Sequence, residues 1–414
     1  MPLFVFLFNP LLAFLGAMKR LDAKFNGLVF VMFYALFGYA ISFTLTSADS
    51  YRIGARFCQQ RSILEELWTQ YLEGNLTDVY MLFVFGLLRP LTHNPKVLFL
   101  VFGTVLGLFA CLSMRQLYKV WPNHRNKYFY VLVVIFFLFN SFLGVNGVRF
   151  NTGSMFFVFL VIQYLYFHKR YALFAVLLTP LFHFGFLIGV FAFYVYLFFR
   201  RWKINIRFYF KMYVLTMCLS LITPQSLIGD NIGDTTEMTD SKALNSKAGN
   251  YVKNSENNKN MEAKKNADQS LYRQANNAYT KLFGVVNSFG TFILFVILYR
   301  KRKVLELTDS QQQFWQFIFF FYCIAVFVSL SIGSGARFLY IAQSFLYFWY
   351  TAITPHNFSS YWKKQTKWLV LINFYTISFI IFNSIRLVTP LFWIAPPLIT
   401  IIDGIGFGPI DFVD

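Results

Sequence analysis

The chain alternates long apolar runs with short polar breaks, and the lengths of the runs predict membrane-spanning helices. An α-helix rises about 1.5 Å per residue, so roughly 20 apolar residues cross a hydrocarbon core. The pattern predicts an all-α, polytopic integral membrane protein with about twelve transmembrane helices. The runs assigned as spans are residues 3–18, 28–45, 97–117, 128–143, 154–167, 208–222, 282–299, 314–330, 338–352 and 368–385, together with two halves of 171–199.

The composition supports membrane insertion and explains the high positive charge. The 414 residues are 57% hydrophobic and 13% charged, with a formal net charge of +19 at pH 7. A nucleic-acid surface would gather these charges on one face. Here they fall in short clusters between apolar runs, as the positive-inside rule describes for cytoplasmic turns. We therefore expect the lipid bilayer, and no nucleic acid, as a partner.

The first outer loop, residues 47–96, is predicted to lie on the membrane surface and partly inside it. The basic turn after the first run fixes that turn on the cytoplasmic side, so the chain beyond the second run is outside. Residues 63–72 place their apolar side chains on one helical face, which is typical of an interfacial amphipathic helix. The apolar run Val79–Leu88 is too short to cross, so we interpret it as re-entrant.

The segment 171–199 allows two interpretations. It could be one kinked helix, or two short helices that meet near Pro180 and His183. We prefer two helices, because a single helix would turn the later basic clusters to the outer side, against the positive-inside rule.

The remaining boundaries come from shifts in polarity. The N-terminal transmembrane bundle covers residues 1–222, and a large polar loop follows at 223–281. Residues 262–282 of that region carry one apolar helical face, so the loop is a possible lid over the outer mouth. Transmembrane helices continue over 282–386. The tail, 387–414, contains no clean span and is expected outside or half-inserted.

The stretch 140–151, NSFLGVNGVRFN, joins two apolar runs and places Arg149 where they meet. A charge beside hydrocarbon is costly unless something pairs with it, so this arginine is a candidate functional residue. Asn151 or Thr152 could cap the next helix, leaving N–H groups and a guanidinium near one point, which suits a phosphate. The alternative is an arginine that snorkels to the membrane surface.

Isolated polar residues gather at the predicted outer junctions. Outer turns gain nothing from basic residues by topology alone. Arginines that follow glycine or polar breaks there fit a multiply charged anion such as a lipid diphosphate, which planar guanidinium groups bind in pairs. The residues concerned are Asp49, Glu73, Arg149, Arg337 and Arg386, with His183 between two short helices.

Simpler roles exist for some of these residues, and several site types are disfavoured. Asp49 could only cap a surface helix, and His183 could be a core histidine with its hydrogen bonds satisfied. No carboxylates or histidines recur at metal-ligand spacing, so we expect no metal. A glycine-rich phosphate loop is absent from the inner side, which disfavours a nucleotide-driven reaction. The four cysteines are far apart and imply no disulfide framework.

The chain resembles the EpsG-type family of Wzy-like bacterial polysaccharide polymerases. The resemblance extends over about residues 28 to 350, with similar elements in the same order between spans. The elements that carry it are 46-TSADSYRIG-54, Glu73 in 71-YLEGNLTDVY-80, 146-NGVRFN-151, 182-FHFGF-186 and 335-GARF-338.

This resemblance implies polymerisation of oligosaccharide repeat units linked to undecaprenyl diphosphate. The expected architecture is GT-C-like, and the expected place is the bacterial inner (cytoplasmic) membrane with an active site facing the periplasm. No cofactor is expected, because the diphosphate leaving group is already activated. Possible partners besides the lipid-linked glycan include a regulator of chain length.

The roles follow from what such a transfer needs. Arg149, Arg337 and Arg386 are assigned to the diphosphate, whose negative charge must be held as it leaves. A general base must take a proton from an acceptor sugar hydroxyl.

For that base the candidates are His183 and Asp49, and the choice between them is open. Glu73 is expected to position the acceptor, and Asn151, beside the arginine, is grouped with it.

Three other functions compete with polymerisation. A GT-C glycosyltransferase that adds one sugar from a polyprenyl phosphate would also use an outer-loop carboxylate such as Asp49. A ligase would transfer finished O-antigen glycan to another acceptor. A flippase or transporter is the non-enzyme alternative, but we find neither the internal repeats nor the midplane charges that it would need.

Overall fold

The fold is helical throughout the part of the chain that the structure describes. The computed structural model describes residues 2–43, 49–59, 68, 79–121, 126–222, 288–331, 336–355, 360–373, 387–388 and 390–405. Besides helices these residues form one isolated antiparallel bridge, between Ile41 and Val388. The all-α prediction is therefore confirmed. The predicted interfacial helix at 63–72, apart from residue 68, and the loop 223–281 lie outside the described residues.

These residues form two compact units. Described residues up to Val190 and those after Ile377 make the first unit, and those within Phe191–Thr376 make the second. Four helical stretches are long and apolar enough to cross a membrane, and several shorter apolar helices accompany them. The chain is thus a multi-pass membrane protein, and the total of about twelve spans stays a prediction. The four stretches are Pro95–Val120, Lys127–Val145, Val148–Leu165 and Asp309–Ser329.

The first apolar run is broken into two helices. α1 covers Pro2–Phe6 and α2 covers Pro10–Met18. Proline lacks the N–H that a continuous helix would use, and the Asn9 side chain accepts a hydrogen bond from the Leu12 N–H at 2.9 Å. The single predicted run therefore contains a capped break.

The core of the first unit is the close antiparallel pair α3, Lys24–Tyr39, and α6, Pro95–Val120. Glycines let the two backbones touch, because a Cβ at Gly38 would collide with the Phe99 carbonyl and one at Gly103 with the Tyr34 carbonyl. This is the packing that small residues permit between membrane helices.

Two short helices lie beside this pair. α4 covers Asp49–Cys58 and α5 covers Val79–Leu88, each 10 residues long. At about 1.5 Å per residue each is about 15 Å long, roughly half a bilayer core. The length of α5 fits the re-entrant interpretation of that run. α4 begins at Asp49, which the sequence suggests as the cap of a surface helix, although the bounds of α4 were not predicted.

The next hairpin contains the region around Arg149. α7 covers Lys127–Leu138, a 3₁₀ helix follows at Phe142–Val145, and α8 covers Val148–Leu165. α8 packs on α6, where the Ser113 hydroxyl donates to the Met155 carbonyl at 3.2 Å.

The prediction of two short helices in 171–199 is confirmed. α9 covers Tyr171–Ala175 and continues as a 3₁₀ helix, Val176–Leu181. α10 then covers Phe186–Arg200, so the break falls at residues 182–185.

The C-terminal tail returns to the first unit. A 3₁₀ helix at Pro390–Trp393 packs its aromatic rings on α3, and α16 follows at Pro397–Ile405. The Tyr39 hydroxyl donates to the Ile401 carbonyl at 3.1 Å. The Asn94 amide donates to the Gly404 carbonyl at 3.0 Å.

The second unit is a bundle rich in buried aromatic rings. Trp315 and Trp349 stack with ring centroids 4.7 Å apart. Gln311 joins the same two helices, because its carbonyl accepts from the Trp349 indole N–H at 2.8 Å. Thr308 and Gln311 cap the first of them reciprocally. The helices after α10 are α11 (Ile206–Ile222), α12 (Ser288–Arg300), α13 (Asp309–Ser331), α14 (Ala336–Ile353) and α15 (Ser360–Ile372).

Candidate functional site

The α7–α8 turn, residues 139–147, lies near the midpoint of α6. A Cβ placed on Gly144 would be 3.3 Å from Leu106 Cδ2, and Leu106 is close to the middle of the 26-residue α6. With about 1.5 Å of rise per residue, this level is about 16 Å along the axis from the start of α6. α8 therefore begins about halfway along α6 and not at the level of either end of α6.

The shape of this turn is held by Asn151. The Asn151 Nδ2 group donates to the carbonyl oxygens of Gly144 and Gly147, at 3.0 Å each. Both glycines are close to the same side chain, since a Cβ on Gly147 would lie 3.0 Å from Asn151 Nδ2. The structure therefore gives Asn151 a role in fixing the turn before Arg149.

The predicted cap of α8 by Asn151 or Thr152 is wrong. The helix begins earlier, at Val148, with Gly147 in the N-cap position and no side-chain cap hydrogen bond. The prediction failed because both polar residues lie inside the helix, where Asn151 bonds back to the turn and Thr152 is fully buried. An uncapped helix start keeps its partial positive charge available to an anion.

Arg149 is the second residue of α8 and is half-buried, and its chain neighbours Val148 and Phe150 are buried. A guanidinium at a helix N-terminus adds its charge to that of the backbone dipole. Its fork of N–H groups also matches the oxygens of a phosphate. Among the described residues of the turn and the first turn of α8, the N-terminus of α8 with Arg149 is therefore the most positively charged place.

The start of α4 is joined to the same turn. The Ser50 N–H donates to Asn146 Oδ1 at 3.2 Å. Asp49, the first residue of α4, therefore lies beside the turn that leads into Arg149. The Asp49 carboxylate is 23% exposed and pairs with Arg52, whose side chain is 69% exposed.

α4 and α5 run side by side, and both start deep in the first unit. Arg89 donates to the last carbonyls of α4 at 2.8 and 3.2 Å, and Phe57 packs on Phe85 at 5.3 Å. At the other end of α5, the Tyr80 ring lies 5.6 Å from that of Phe102. Both helix N-termini thus face the level of the α7–α8 turn.

His183 lies next to the first turn of α8. Its ring meets the Phe150 ring edge-on, with centroids 5.5 Å apart. Nδ1 accepts the Gly185 N–H at 3.1 Å, so the neutral imidazole carries its proton on Nε2. In this form Nε2 can donate a hydrogen bond, whereas the basic nitrogen is already engaged.

Two further residues of this region were missed from the sequence. Asn146 links the turn to α4, although it stands inside the motif that drew attention to Arg149. Tyr80 packs on Phe182, which precedes His183, with ring centroids 4.7 Å apart. A polar side chain at the start of a short apolar run is the signal that could have identified Tyr80.

The structure brings Asp49, Arg149, Asn151 and His183 around the α7–α8 turn. Arg337 is an exposed residue at the start of α14, in the second unit. Its convergence with Arg149 therefore stays a prediction.

Glu73 and Arg386 lie outside the described residues. Within the described ranges, no group of three or more His, Cys, Asp or Glu side chains is placed to hold a metal ion.

Comparison with protein families adds to this geometry. The model of the EpsG family matches residues 42–392, which is most of the chain and includes the whole α7–α8 turn. The chain belongs to the EpsG family. The resemblance inferred from the sequence elements is thereby confirmed. Searches of curated proteins and of solved structures found no match.

EpsG family membership associates this multi-pass membrane protein with exopolysaccharide biosynthesis. The match spans α4, α8 and the break at His183, which are the elements around the turn.

Proposed function

We propose that this EpsG family protein is a polysaccharide polymerase. It joins oligosaccharide repeat units carried on undecaprenyl diphosphate, at the periplasmic face of the bacterial inner membrane. The observation that carries the proposal is the shared position of Arg149, Asp49 and His183 around one interior turn. Such a site can hold a diphosphate and receive a proton without nucleotide or metal.

The reaction is a glycosyl transfer between two lipid-linked chains. An acceptor sugar hydroxyl attacks the anomeric carbon of the donor, and the bond from that carbon to the diphosphate oxygen breaks. Undecaprenyl diphosphate leaves with the bonding electron pair, and the hydroxyl proton passes to a base. The catalytic demand is to stabilise charge on the leaving diphosphate, which a preorganised guanidinium and helix N-terminus can meet.

Asp49 is the better base of the two candidates. The basic Nδ1 of His183 is occupied by the Gly185 N–H, which leaves Nε2–H as a donor. The Asp49 carboxylate is partly exposed beside the turn, and the exposed Arg52 side chain engages its Oδ1. We assign the proton to Oδ2, the other oxygen of this carboxylate. We assign His183 to donating a hydrogen bond to the diphosphate or the donor sugar.

The remaining assignments extend the same site. Arg337 and Arg386 complete the binding of the diphosphate, and Glu73 positions the acceptor. Asn151 holds the entry of α8, because its amide hydrogens point to two carbonyls, and its Oδ1 is the atom we assign to the acceptor. In the proposed topology, with about twelve spans, these residues lie on the outer side of the membrane. A chain-length regulator is the expected protein partner.

Substitution of Arg149 in the producing cell tests the proposal. Arg149→Ala should abolish long glycan and leave single repeat units on the lipid or at the surface, because export would continue without polymerisation. Arg149→Lys should behave like alanine, since a point charge does not replace a two-pronged contact. Arg201→Lys, at an exposed position after α10, is the matched control and should leave chain length unchanged.

The outcome separates the competing functions. Loss of all glycan from the outer surface, single repeat units included, would indicate a flippase. Long glycan that still forms but is not passed to its final acceptor would indicate a ligase. Full activity of Arg149→Lys would contradict the diphosphate contact.

A further inference from the structure

The helix that carries Asp49, α4, is too short to fix its own position. It has 10 residues. Isolated helices shorter than about 12–15 residues are marginal in water, so contacts with the rest of a protein decide where such a helix lies. One face of α4 packs inward with residues at helical spacing, which are Ser50, Ile53, Gly54 and Phe57. Side chains from two other segments hold the ends of this helix.

The first turn of α4 is held by Asn146. Its Oδ1 accepts the Ser50 N–H at 3.2 Å, although the two residues are 96 positions apart in the chain. An N-cap residue normally supplies this acceptor from within its own helix. Here the α7–α8 turn supplies it, so Asp49 is fixed against the segment that leads into Arg149.

The last turn of α4 is held by Arg89, which directly follows α5. Its Nη2 donates to the Arg56 carbonyl at 2.8 Å and its Nε to the Phe57 carbonyl at 3.2 Å. The guanidinium carbon also lies 5.0 Å from the centroid of the Phe85 ring. The last carbonyls of a helix lack partners within it and carry the negative end of its dipole, which suits a cation. Arg89 therefore anchors α4 on α5.

The carboxylate of Asp49 is fixed as well. Arg52, one turn further along α4, engages Oδ1. A general base acts only within hydrogen-bond reach of the proton that it takes, and a shift of about 1 Å can lower a rate about 100-fold. The two end contacts of α4 therefore bear directly on the reach of Oδ2.

We propose that Asn146 and Arg89 are positioning residues that hold Asp49 at the entry of α8. This inference rests on the proposed function, in which Asp49 takes the proton of the acceptor hydroxyl. Both residues act through α4 and not by contact with the substrate. The place of Arg149 is secured separately, because Asn151 binds the two glycine carbonyls of the turn.

Steady-state kinetics of the purified full chain in liposomes test the inference, with a synthetic repeat unit on undecaprenyl diphosphate as the substrate. Asn146→Ala removes the acceptor, and Arg89→Met removes the donors while keeping the length of the side chain. Each should lower kcat about 10- to 100-fold, because the base is displaced. Each should leave KM within about twofold of the wild type, because the diphosphate contact stays in place.

A double-mutant cycle shows whether these residues act through Asp49. In the Asp49→Asn background, Asn146→Ala and Arg89→Met should each change the residual kcat less than about twofold. An amide that no longer takes the proton gains nothing from its position. A residue that acted elsewhere would cause its full loss in both backgrounds.

Asn126→Ala is the matched control for a lost helix cap. The Asn126 Oδ1 accepts the N–H groups of Tyr128 and Phe129 at 3.0 and 3.1 Å at the start of α7. The control should lower the Tm as much as Asn146→Ala does and leave kcat unchanged. An equal fall of kcat in the control would reduce the effect of Asn146 to general stability and overturn the inference.

Two further results would overturn the inference while the proposed function stands. One is a full loss of kcat from both substitutions in the Asp49→Asn background. The other is a raised KM with unchanged kcat in Asn146→Ala, which would assign Asn146 to the diphosphate contact of Arg149. Wild-type kcat in Asp49→Asn would remove the base and the inference with it. If the wild type itself forms no longer glycan, the proposed function fails.

Discussion

At the scale of single residues, the structure divides the predicted site into groups that shape it and groups that can act. Asn151 uses its amide to hold two glycine carbonyls, and His183 uses Nδ1 for a backbone N–H. The bonds of Asn151 could not be predicted from the sequence, because they depend on where α8 begins. The bond of His183 depends on the backbone conformation of the break at residues 182–185, which the sequence does not specify either. The candidate residues themselves were recognisable as polar side chains between apolar runs.

Substitutions of His183 and Asp49 distinguish donor from base. His183→Gln should retain more polymerisation than His183→Ala, because an amide nitrogen can replace the Nε2 donor. Asp49→Asn should reduce the rate by about 10²–10⁴-fold, as expected for loss of a general base. The rate of glycan elongation in isolated membranes is the measurement. Equal activity of Asp49→Asn and the wild type would return the role of base to His183.

Asn151→Ala tests the holding of the turn. Two hydrogen bonds to half-buried carbonyls are lost, which should lower the free energy of unfolding by about 1–2 kcal/mol. Elongation should fall as well, since the entry of α8 carries Arg149. Thermal unfolding and elongation are measured together. Asn205→Ala is the control, because it removes the exposed side chain that caps the start of α11 by accepting from the Arg207 N–H. It should cost similar stability, about 0.5–2 kcal/mol, and leave elongation unchanged. An equal fall in elongation from both variants would contradict a special role for the turn.

At the scale of elements, short helices and breaks were predictable where the sequence marks them locally. Pro180 and His183 predicted the break between α9 and α10, and the length of the run 79–88 predicted a short helix. The start of α8 was placed too late, because the helix begins at Val148 after Gly147, without a polar side-chain cap. α4 begins at Asp49, the residue that could cap a surface helix, but its bounds were not predicted from the sequence.

The close contact of α3 and α6 gives a test by glycine substitution. Gly103→Ala should destabilise the protein by about 1–3 kcal/mol, because its Cβ would meet the rigid Tyr34 backbone. Gly16→Ala is the control, since a Cβ there has nothing within 4 Å. It should be neutral or stabilise by about 0.5–1 kcal/mol. Thermal unfolding in detergent is the measurement, and the reverse order would contradict the packing.

At the scale of the whole molecule, the C-terminal tail completes the first unit. Trp393 packs on Phe142 of the 3₁₀ helix before Arg149, with ring centroids 6.0 Å apart. The Ser42 N–H donates to the Leu387 carbonyl at 2.9 Å. Such contacts join residues far apart in the sequence, and no local sequence pattern indicates them. The tail was therefore predicted only to lie outside the membrane or half-inserted in it.

A pair of substitutions in α16 tests this docking. Gly404→Val should lower the Tm and reduce elongation, because its side chain would collide with the Tyr39 ring. Ile402→Ala, at a position 60% exposed, should change neither. Equal Tm values for the two variants would show that α16 does not dock on α3.

Reconstituted polymerisation tests the central claim most directly. The purified chain in liposomes is given one synthetic repeat unit on undecaprenyl diphosphate, and the lipid-linked products are separated by size. We predict a ladder of longer glycans, with one undecaprenyl diphosphate released for each bond formed, and no ladder with Arg149→Lys. Products no longer than a single repeat unit, or a normal ladder from Arg149→Lys, would contradict the account.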